Sequence, residues 1–382
     1  MIEPSEIRIM SVECDRVRGI NLAQGICDTP TPQVVREAAQ RAIGEGMNQY
    51  VRLDGIAPLR QAIAHKLETY NGLRVDPERE VLVTSGSTGG FYAAVLALLN
   101  PGDEVIVFEP FYSYHVNTFV AHGVQPVFVR TIAPEWQFDM EALRHAVTPR
   151  TRAILVNSPA NPSGKVFSRA ELESIAELCL RHDLFLFTDE IYEYFLYDGR
   201  EHISPATLPG MRERSITITG FSKTFSVTGW RLGYVACDAK WRQAIAYFHD
   251  LMYICAPSPL QMGVTAGLTQ LGADFYADLR AEYATKRDLL CDALSAAGLN
   301  PSVPQGAYYV LADASALPGA DAKQRAMYLL ENSGVAAVPA KAFWHDNYGE
   351  NMLRFCFAKT DADLRSACER LKAMRPVGAA AQ

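Results

Sequence analysis

"VLVTSGSTGGFYAAVLALLN", residues 81–100, runs from a short apolar strand pattern into a glycine and hydroxyl turn and straight out into an apolar helical pattern. The turn Gly86-Ser87-Thr88-Gly89-Gly90 has almost no side-chain bulk. Backbone N–H groups there can approach an anion closely, and the start of the following helix adds unpaired donors and a favourable dipole. The spacing is neither GxGxxG nor GxxxxGK[ST], so it does not indicate a dinucleotide or a nucleoside triphosphate. A tight strand-to-helix turn capped by Ser87 explains the same residues equally well.

The strand-then-turn texture repeats along the chain. "EVLVTSG", "DEVIVFEP", "QPVFVR", "RAILVNSP", "LFLFTDE", "SITITGFS" and "LGYVAC" are apolar, β-branched or aromatic runs, each closing on turn residues. Helical patterns lie between several of them, among them "SRAELESIAELCLRHD", opened by Ser168 with Glu171 three positions on. Strands buried on both faces and separated by helices predict an α/β fold: a large domain with a mostly parallel seven-stranded sheet between helices. After Leu271 the pattern becomes a long polar helix, the strands "GAYYVLAD" and "NMLRFCFAK", and the helix "DADLRSACERLKAM". This predicts a smaller α/β domain. The expected division is a large cofactor-binding domain at 45–275, and a small domain with an N-terminal arm at 1–44 with 276–382. The closing "GAAAQ" reads as a frayed tail.

Bulk properties bound the function. With 382 residues, 49% hydrophobic and 21% charged, the chain has the composition of an ordinary globular protein. A formal net charge of −7 and the lack of a Lys/Arg cluster argue against a nucleic-acid partner. "MIEPSEIRIMSVECDRVRG" has no signal-peptide core, and no apolar run is long enough to span a bilayer. Eight scattered cysteines without a CxxC pair read as reduced, packed thiols of a cytoplasmic protein. The histidines form no HExxH or HxH pattern, so no metal is expected.

Ligands of such sheets sit beyond the carboxyl ends of the strands, and the chemically informative residues lie there. "NSPANPSG" places Asn161 before Pro162 in a turn, which is either a rigid amide or a simple Asx/Pro turn. "LFLFTDEIYEYF" sets Asp189 just past four apolar residues, where a carboxylate faces either a ligand cation or solvent. "GFSKTFSVTGWRLGY" carries Lys223 just past a strand and Arg231 in a glycine-flanked loop, among Phe221, Phe225, Trp230 and Leu232. Arginine's planar fork suits a phosphate, whereas a lysine amine can lose its proton and attack a carbonyl.

"SGSTGG", "EPFYSYH", "NSPANPSG", "TDEIYEYF", "GFSKTFSVTGWRLGY" and "MLRFCFA" follow one another in the order and approximate spacing of class I aminotransferases. The chain resembles these pyridoxal-phosphate enzymes of fold type I, in their aspartate/aromatic subgroup, over nearly its whole length. The resemblance implies that Lys223 forms the Schiff base with pyridoxal 5'-phosphate and moves the substrate proton. It implies that Asp189 pairs with the ring nitrogen, and that Asn161 and Tyr192 hydrogen-bond the ring's phenolic oxygen. Ser87, Thr88, Ser222, Arg231 and the amides from Gly86 onward would hold the phosphate, and Tyr112 would stack on the ring. Tyr50 would reach the phosphate of a partner subunit, implying a homodimer with shared active sites. Arg354 would clamp the substrate α-carboxylate, with Gly25 contributing a backbone donor and Asn161 adjoining. Arg354's alternative is a structural ion pair. The chain departs from the family at Gly220, where many members have serine, and at Cys27, where proline is commoner; Cys27 reads as packing.

The implied activity is amino-group transfer between an L-amino acid, aromatic or otherwise neutral, and a 2-oxo acid such as 2-oxoglutarate. An alternative with the same residues is β-elimination of a cysteine conjugate. A third is a non-catalytic effector-binding domain, which in this fold carries an added DNA-binding segment; the residues before Ile20 leave no room for one. A cis Asn161–Pro162 bond is also expected.

Overall fold

A computed structural model describes residues 6–374; the tail at 378–382 and the first five residues of the N-terminal arm lie outside the described residues. A helix at Glu6–Arg16 leads into the short strand β1 (Ile20–Asn21). The large sheet then takes β2 (Val81–Ser85), β3 (Glu104–Glu109), β4 (Gln125–Ile132), β5 (Gln137–Phe138), β6 (Thr151–Asn157), β7 (Phe185–Asp189), β8 (Ser215–Gly220) and β9 (Leu232–Ala236). Their order is β2-β9-β8-β7-β6-β3-β4-β5. The pairs from β4 through β3, β6 and β7 to β8 are parallel, and β9 runs antiparallel to both β8 and β2.

All seven expected strands are present. The eighth, β5, is a two-residue antiparallel edge strand on β4. It is too short to show the alternation that marks a strand in sequence.

Alternation sorts the side chains of the central strands onto two covered faces. Val105, Val107, Leu155, Ile216 and Ile218 share one core with Phe91 and Ile245 from the helices. Ile106, Ile154, Val156 and Leu186 point the other way, onto Leu172 and Ile175 of the helix Arg169–His182. Each such side chain contributes roughly 1.5–3 kcal/mol by leaving water. The sheet is therefore apolar along most of its length and turns polar only at its strand ends. The helix Arg169–His182 begins with the expected capping box: Ser168 Oγ accepts from Glu171 N–H, and the Glu171 carboxylate accepts from Ser168 N–H.

The later part of the chain adds β10 (Asn300–Ser302), β11 (Tyr309–Asp313), β12 (Val335–Ala336), β13 (Val338–Pro339) and β14 (Met352–Cys356). Four of these form an antiparallel sheet in the order β10-β11-β14-β13, while β12 pairs in parallel with β1. The helices Ala273–Ala296 and Asp361–Ala373 cover this sheet, and Met10, Cys14 and Leu22 join Leu290, Leu329 and Phe355 in one core. No described helix is long and apolar enough to cross a membrane.

Candidate active site

The carboxyl ends of β2, β6, β7 and β8 deliver Ser85, Asn157, Asp189 and Gly220 to one edge of the large sheet. A cavity of about 290 Å³ opens there. It is lined by Gly25, Ser87, Thr88, Tyr112, Asn161, Asp189, Tyr192, Ser222, Lys223, Arg231 and Arg354, which are eleven of the thirteen residues singled out from sequence. Gly86 stands behind this wall. Tyr50 is 76% exposed and does not line its own chain's cavity.

One end of the cavity is built to receive an anion. The helix Gly86–Leu98 starts directly after β2, and its N-cap residue, Ser85, makes no side-chain capping bond. Ser87, expected as the cap, lies inside the first turn instead, because Gly86 (φ 71°) already turns the chain into the helix. Arg231 sits at φ 51°, a left-handed conformation costing about 1–3 kcal/mol for a residue with a side chain. That turn lays its guanidinium against Gly86, where an added Cβ would stand 2.5 Å from Nη2. A Cβ at Gly233 would stand 2.5 Å from the Ser87 nitrogen, so this glycine is also required. Arg231 donates only to the Thr228 carbonyl, at 3.0 Å, and pairs with no described carboxylate. The uncapped helix start and the unpaired guanidinium together form an anion seat. Gly220 is closed to a side chain, since a Cβ would lie 2.9 Å from the Leu232 carbonyl oxygen.

Behind this seat His249, fully buried, accepts a hydrogen bond from the Ser85 N–H through Nε2 at 3.0 Å. Burial pushes its pKa down to about 4. The unfolded chain therefore binds the extra proton between about 6.5 and about 4, and stability falls as pH drops through that window. The loss reaches at most about 3 kcal/mol. His249→Gln, which keeps an acceptor but cannot titrate, is expected to flatten the slope of unfolding free energy against pH in this window. Denaturant melts at intervals from pH 7 to pH 4 measure it, and an unchanged slope would assign the acid sensitivity elsewhere.

The deep wall holds Asp189, 7% exposed at the end of β7. His115 Nε2 lies 2.9 Å from its Oδ2, and the Ile191 N–H donates to Oδ1 at 3.2 Å. His115 is in "EPFYSYH" but was not singled out from sequence. It lies one helical turn after Tyr112, and this spacing is the only sequence signal for it. The following loop is held on either side of Tyr192 by a Glu190–His202 hydrogen bond at 2.7 Å and a buried Glu193–Lys66 ion pair.

Lys223 Nζ donates to the Gly25 carbonyl at 3.1 Å and lies over the Tyr192 and Tyr308 rings. It has no carboxylate within ion-pair distance among the described residues. Desolvation lowers its pKa below the ordinary lysine value; Arg231 presses the same way, and Cys27, Cys356 and Asp189 oppose it. Cys27 is buried, donates to the Lys223 carbonyl at 3.7 Å, and has its thiol pKa raised by burial. These observations agree with a packing role. All eight cysteines are unpaired.

At the other end Arg354, 1% exposed on β14, is sandwiched by Tyr309 and Phe343. It donates to Asn161 Oδ1 at 3.0 Å and to the Ala23 carbonyl at 2.7 Å, while its Nε has no partner. No described carboxylate pairs with it, so the structural ion pair is absent among the described residues. A buried guanidinium without an anion is strongly unfavourable, and a ligand carboxylate would relieve it. Asn161 is itself fixed: its N–H donates to Asn157 Oδ1 at 2.8 Å, and Asn157 Nδ2 donates to the Asp189 carbonyl at 2.9 Å. The Asn161–Pro162 peptide is cis, as expected. Tyr309, not weighed from sequence, has its hydroxyl 3.1 Å from that of Tyr192, and an added Cβ on Gly25 would collide with it at 1.9 Å.

A cavity with an anion seat, a buried amine, a buried carboxylate and a second, unpaired buried arginine fits the phosphorylated carbonyl cofactor and carboxylate substrate that the family resemblance implies. The model of the family "Aminotransferase class I and II" matches residues 17–371. The chain belongs to that family. It is 35% identical to human kynurenine–oxoglutarate transaminase 1 over 92% of each chain, and 32% identical to the methionine aminotransferase of Escherichia coli over 95% of this chain and 94% of that one. The solved N-succinyldiaminopimelate aminotransferase of Mycobacterium tuberculosis superposes with a TM-score of 0.93 at 36% identity, covering 98% of this chain and all of the other. This aminotransferase is a pyridoxal-phosphate enzyme catalysing transamination.

Proposed function

We propose that this aminotransferase passes the amino group of a neutral or aromatic L-amino acid to a 2-oxo acid such as 2-oxoglutarate, with Lys223 as the residue that carries pyridoxal phosphate. The observation behind this is the placement of one amine, unpaired and with a lowered pKa, in the same cavity as two guanidiniums that lack carboxylate partners. When bound, the cofactor supplies an aldehyde carbon and a conjugated ring that accepts electron density from the substrate α-carbon.

The chain's own groups divide the remaining tasks. Arg231, Ser87, Thr88, Ser222 and the amides from Gly86 would hold the phosphate, and Tyr112 would stack on the ring. Asp189, with its carboxylate oriented by His115, would keep a proton on the ring nitrogen. Tyr192 and Asn161 would donate to the phenolic oxygen. Arg354 takes the substrate α-carboxylate, with Asn161 and the Gly25 backbone beside it. Lys223 Nζ removes and returns the proton at the substrate α-carbon, which its lowered pKa favours by easing loss of the ammonium proton.

The proposal extends to the assembly. Tyr50 is exposed, and Tyr247 and Leu251 are 61% and 67% exposed one helical turn apart. Such an apolar face fits a second copy of the chain, with Tyr50 reaching the partner's phosphate. The division into 45–275 and 1–44 with 276–382 belongs to the same reading. The core shared by Met10, Leu22 and Phe355 supports it, and the packing of Val35 with Val83 and Phe225 argues for a first boundary before Val35. Unpaired cysteines support a reducing, cytoplasmic location.

A donor screen tests the substrate reading. The spectrum of the bound cofactor is followed with each L-amino acid, and the oxo acid formed is counted. Stoichiometric oxo acid from phenylalanine or methionine, reversed by 2-oxoglutarate, is the expected result. Ammonia and pyruvate from a cysteine thioether, without such a cycle, would favour β-elimination.

A further inference from the structure

Residues 45–56 join the helices Gln33–Gly44 and Ala57–Thr69 without regular secondary structure, yet the stretch is held at many points. Its backbone polar groups need partners, and those partners show what the fold fixes. Ser258 Oγ reaches the Met47 and Gln49 carbonyls at 3.2 and 2.9 Å. The Ile56 N–H donates to Gln261 Oε1 at 2.9 Å, and the Asp54 carbonyl accepts from the Val83 N–H at 3.1 Å. Met47 and Val51 lie against the core that contains Val83 and Phe225. Tyr50, between them, is exposed, and its side chain makes no hydrogen bond or ring contact with any described residue. The chain is thus fixed on both sides of a tyrosine that its own subunit does not use.

The tightest anchor follows directly. The Arg52 guanidinium grips the Asp54 carboxylate with two hydrogen bonds, at 2.7 and 2.6 Å, and reaches Glu78 at 2.9 Å. Asp54 is buried and also pairs with Arg60 at 3.4 Å and with Arg242. Burial alone would raise its pKa, but the bonds from Arg52 and the charges of Arg60 and Arg242 outweigh it and hold the carboxyl below its usual range. Arg52 itself is 57% exposed, and an ion pair with so exposed a partner adds little stability. What two parallel bonds from a planar fork do fix is geometry. We propose that Arg52 and Asp54 form a clasp that positions Tyr50 for the partner subunit's phosphate seat, so that these two residues act on cofactor binding in the other subunit. The support runs to the strand that carries the chain's own seat. β2 holds Asp54 through Val83 and ends at Ser85 and Gly86, and a Cβ on Gly55 (φ 93°) would stand 2.6 Å from the Val83 Cβ. One rigid strand therefore backs both the anion seat of its own subunit and the tyrosine lent to the other.

The clasp rests on the reading of Tyr50 as part of the partner's site, and the test separates the two. Borohydride-fixed labelling of the Lys223 peptide is followed against pyridoxal phosphate concentration for the unmodified enzyme, Arg52→Ala, Arg52→Lys, Asp54→Asn and Tyr50→Phe, with sedimentation to give the assembly state. Each variant is also paired with a Lys223→Ala chain in a purified hybrid dimer. A hybrid has one Lys223, and the loop lent to that site comes from the Lys223→Ala chain, with Tyr50, Arg52 and Asp54 intact. The Tyr50→Phe and Arg52→Ala homodimers are expected to need about tenfold to a hundredfold more cofactor for half labelling, the scale of one hydrogen bond to a charged group. Arg52→Lys falls between, and every hybrid returns to the unmodified value. Asp54→Asn follows the same pattern; should it not fold, Arg52→Ala decides alone. Labelling of Arg52→Ala that is unchanged in the homodimer, equally weak in the hybrid, or weak because the variant is a monomer overturns the clasp, and a restored Tyr50→Phe hybrid then leaves the shared site standing. Tyr50→Phe without effect, or not restored in its hybrid, defeats the shared-site reading and the clasp with it.

Discussion

Lys223→Ala loses amino-group transfer by at least about 10³-fold, the scale on which a positioned acid–base group acts, and remains folded. The residue has two tasks in this account, carrying the cofactor and moving the α-proton, and alanine performs neither. Folding should survive because no ion pair depends on the amine, whose one side-chain hydrogen bond goes to the Gly25 carbonyl. The sign of the pKa shift points the same way. Burial lowers the folded-state pKa, so the buried amine opposes folding at neutral pH, and this penalty disappears only above the ordinary lysine value of about 10.4. Turnover assays together with thermal melts check both parts. A folded variant keeping more than a few per cent of the activity would assign the proton transfer to another group.

Asp189→Asn should cost about 10³-fold in kcat with little change in KM. An ion pair at ~4 Å and an effective dielectric near ~20 is worth about 4 kcal/mol, which corresponds to roughly three decades in rate. Asparagine keeps the shape and the bond from the Ile191 N–H but loses the charge that holds a proton on the ring nitrogen. A cofactor analogue methylated at that nitrogen carries the positive charge permanently, and with it the variant should recover much of the lost rate. Steady-state kinetics with both cofactors decide the matter. Equal loss with either would show that Asp189 acts by placing neighbouring groups. His115→Ala, which leaves the carboxylate but removes its partner at 2.9 Å, should fall between the two.

What the sequence revealed, and what it did not, follows from the range of each interaction. Central strands such as Ile216–Ile218 and Leu186–Phe187 are buried on both faces, so the pattern is dense enough to read locally. Edge pieces such as Gln137–Phe138 and Val338–Pro339 exist only because a neighbouring strand offers hydrogen bonds, and two residues carry no periodicity. The same holds in the cavity. Asp189 ends β7, Lys223 follows β8 and Arg231 immediately precedes β9, so position along the chain already implies position in the fold. His115 acquires its role only when the helix Ser113–Ala121 is laid beside β7. Ser87 failed as a cap because the left-handed turn at Gly86 starts the helix two residues earlier, with Ser85 at the N-cap. That conformation is a backbone property the letters only permit.

The most direct measurement is chemical. The enzyme, saturated with pyridoxal phosphate and reduced with borohydride, is digested and its peptides weighed. The account predicts one cofactor-sized mass increment, on the peptide containing Lys223, and none in Lys223→Ala. An increment on another lysine, or an unlabelled Lys223 peptide in active enzyme, would contradict it.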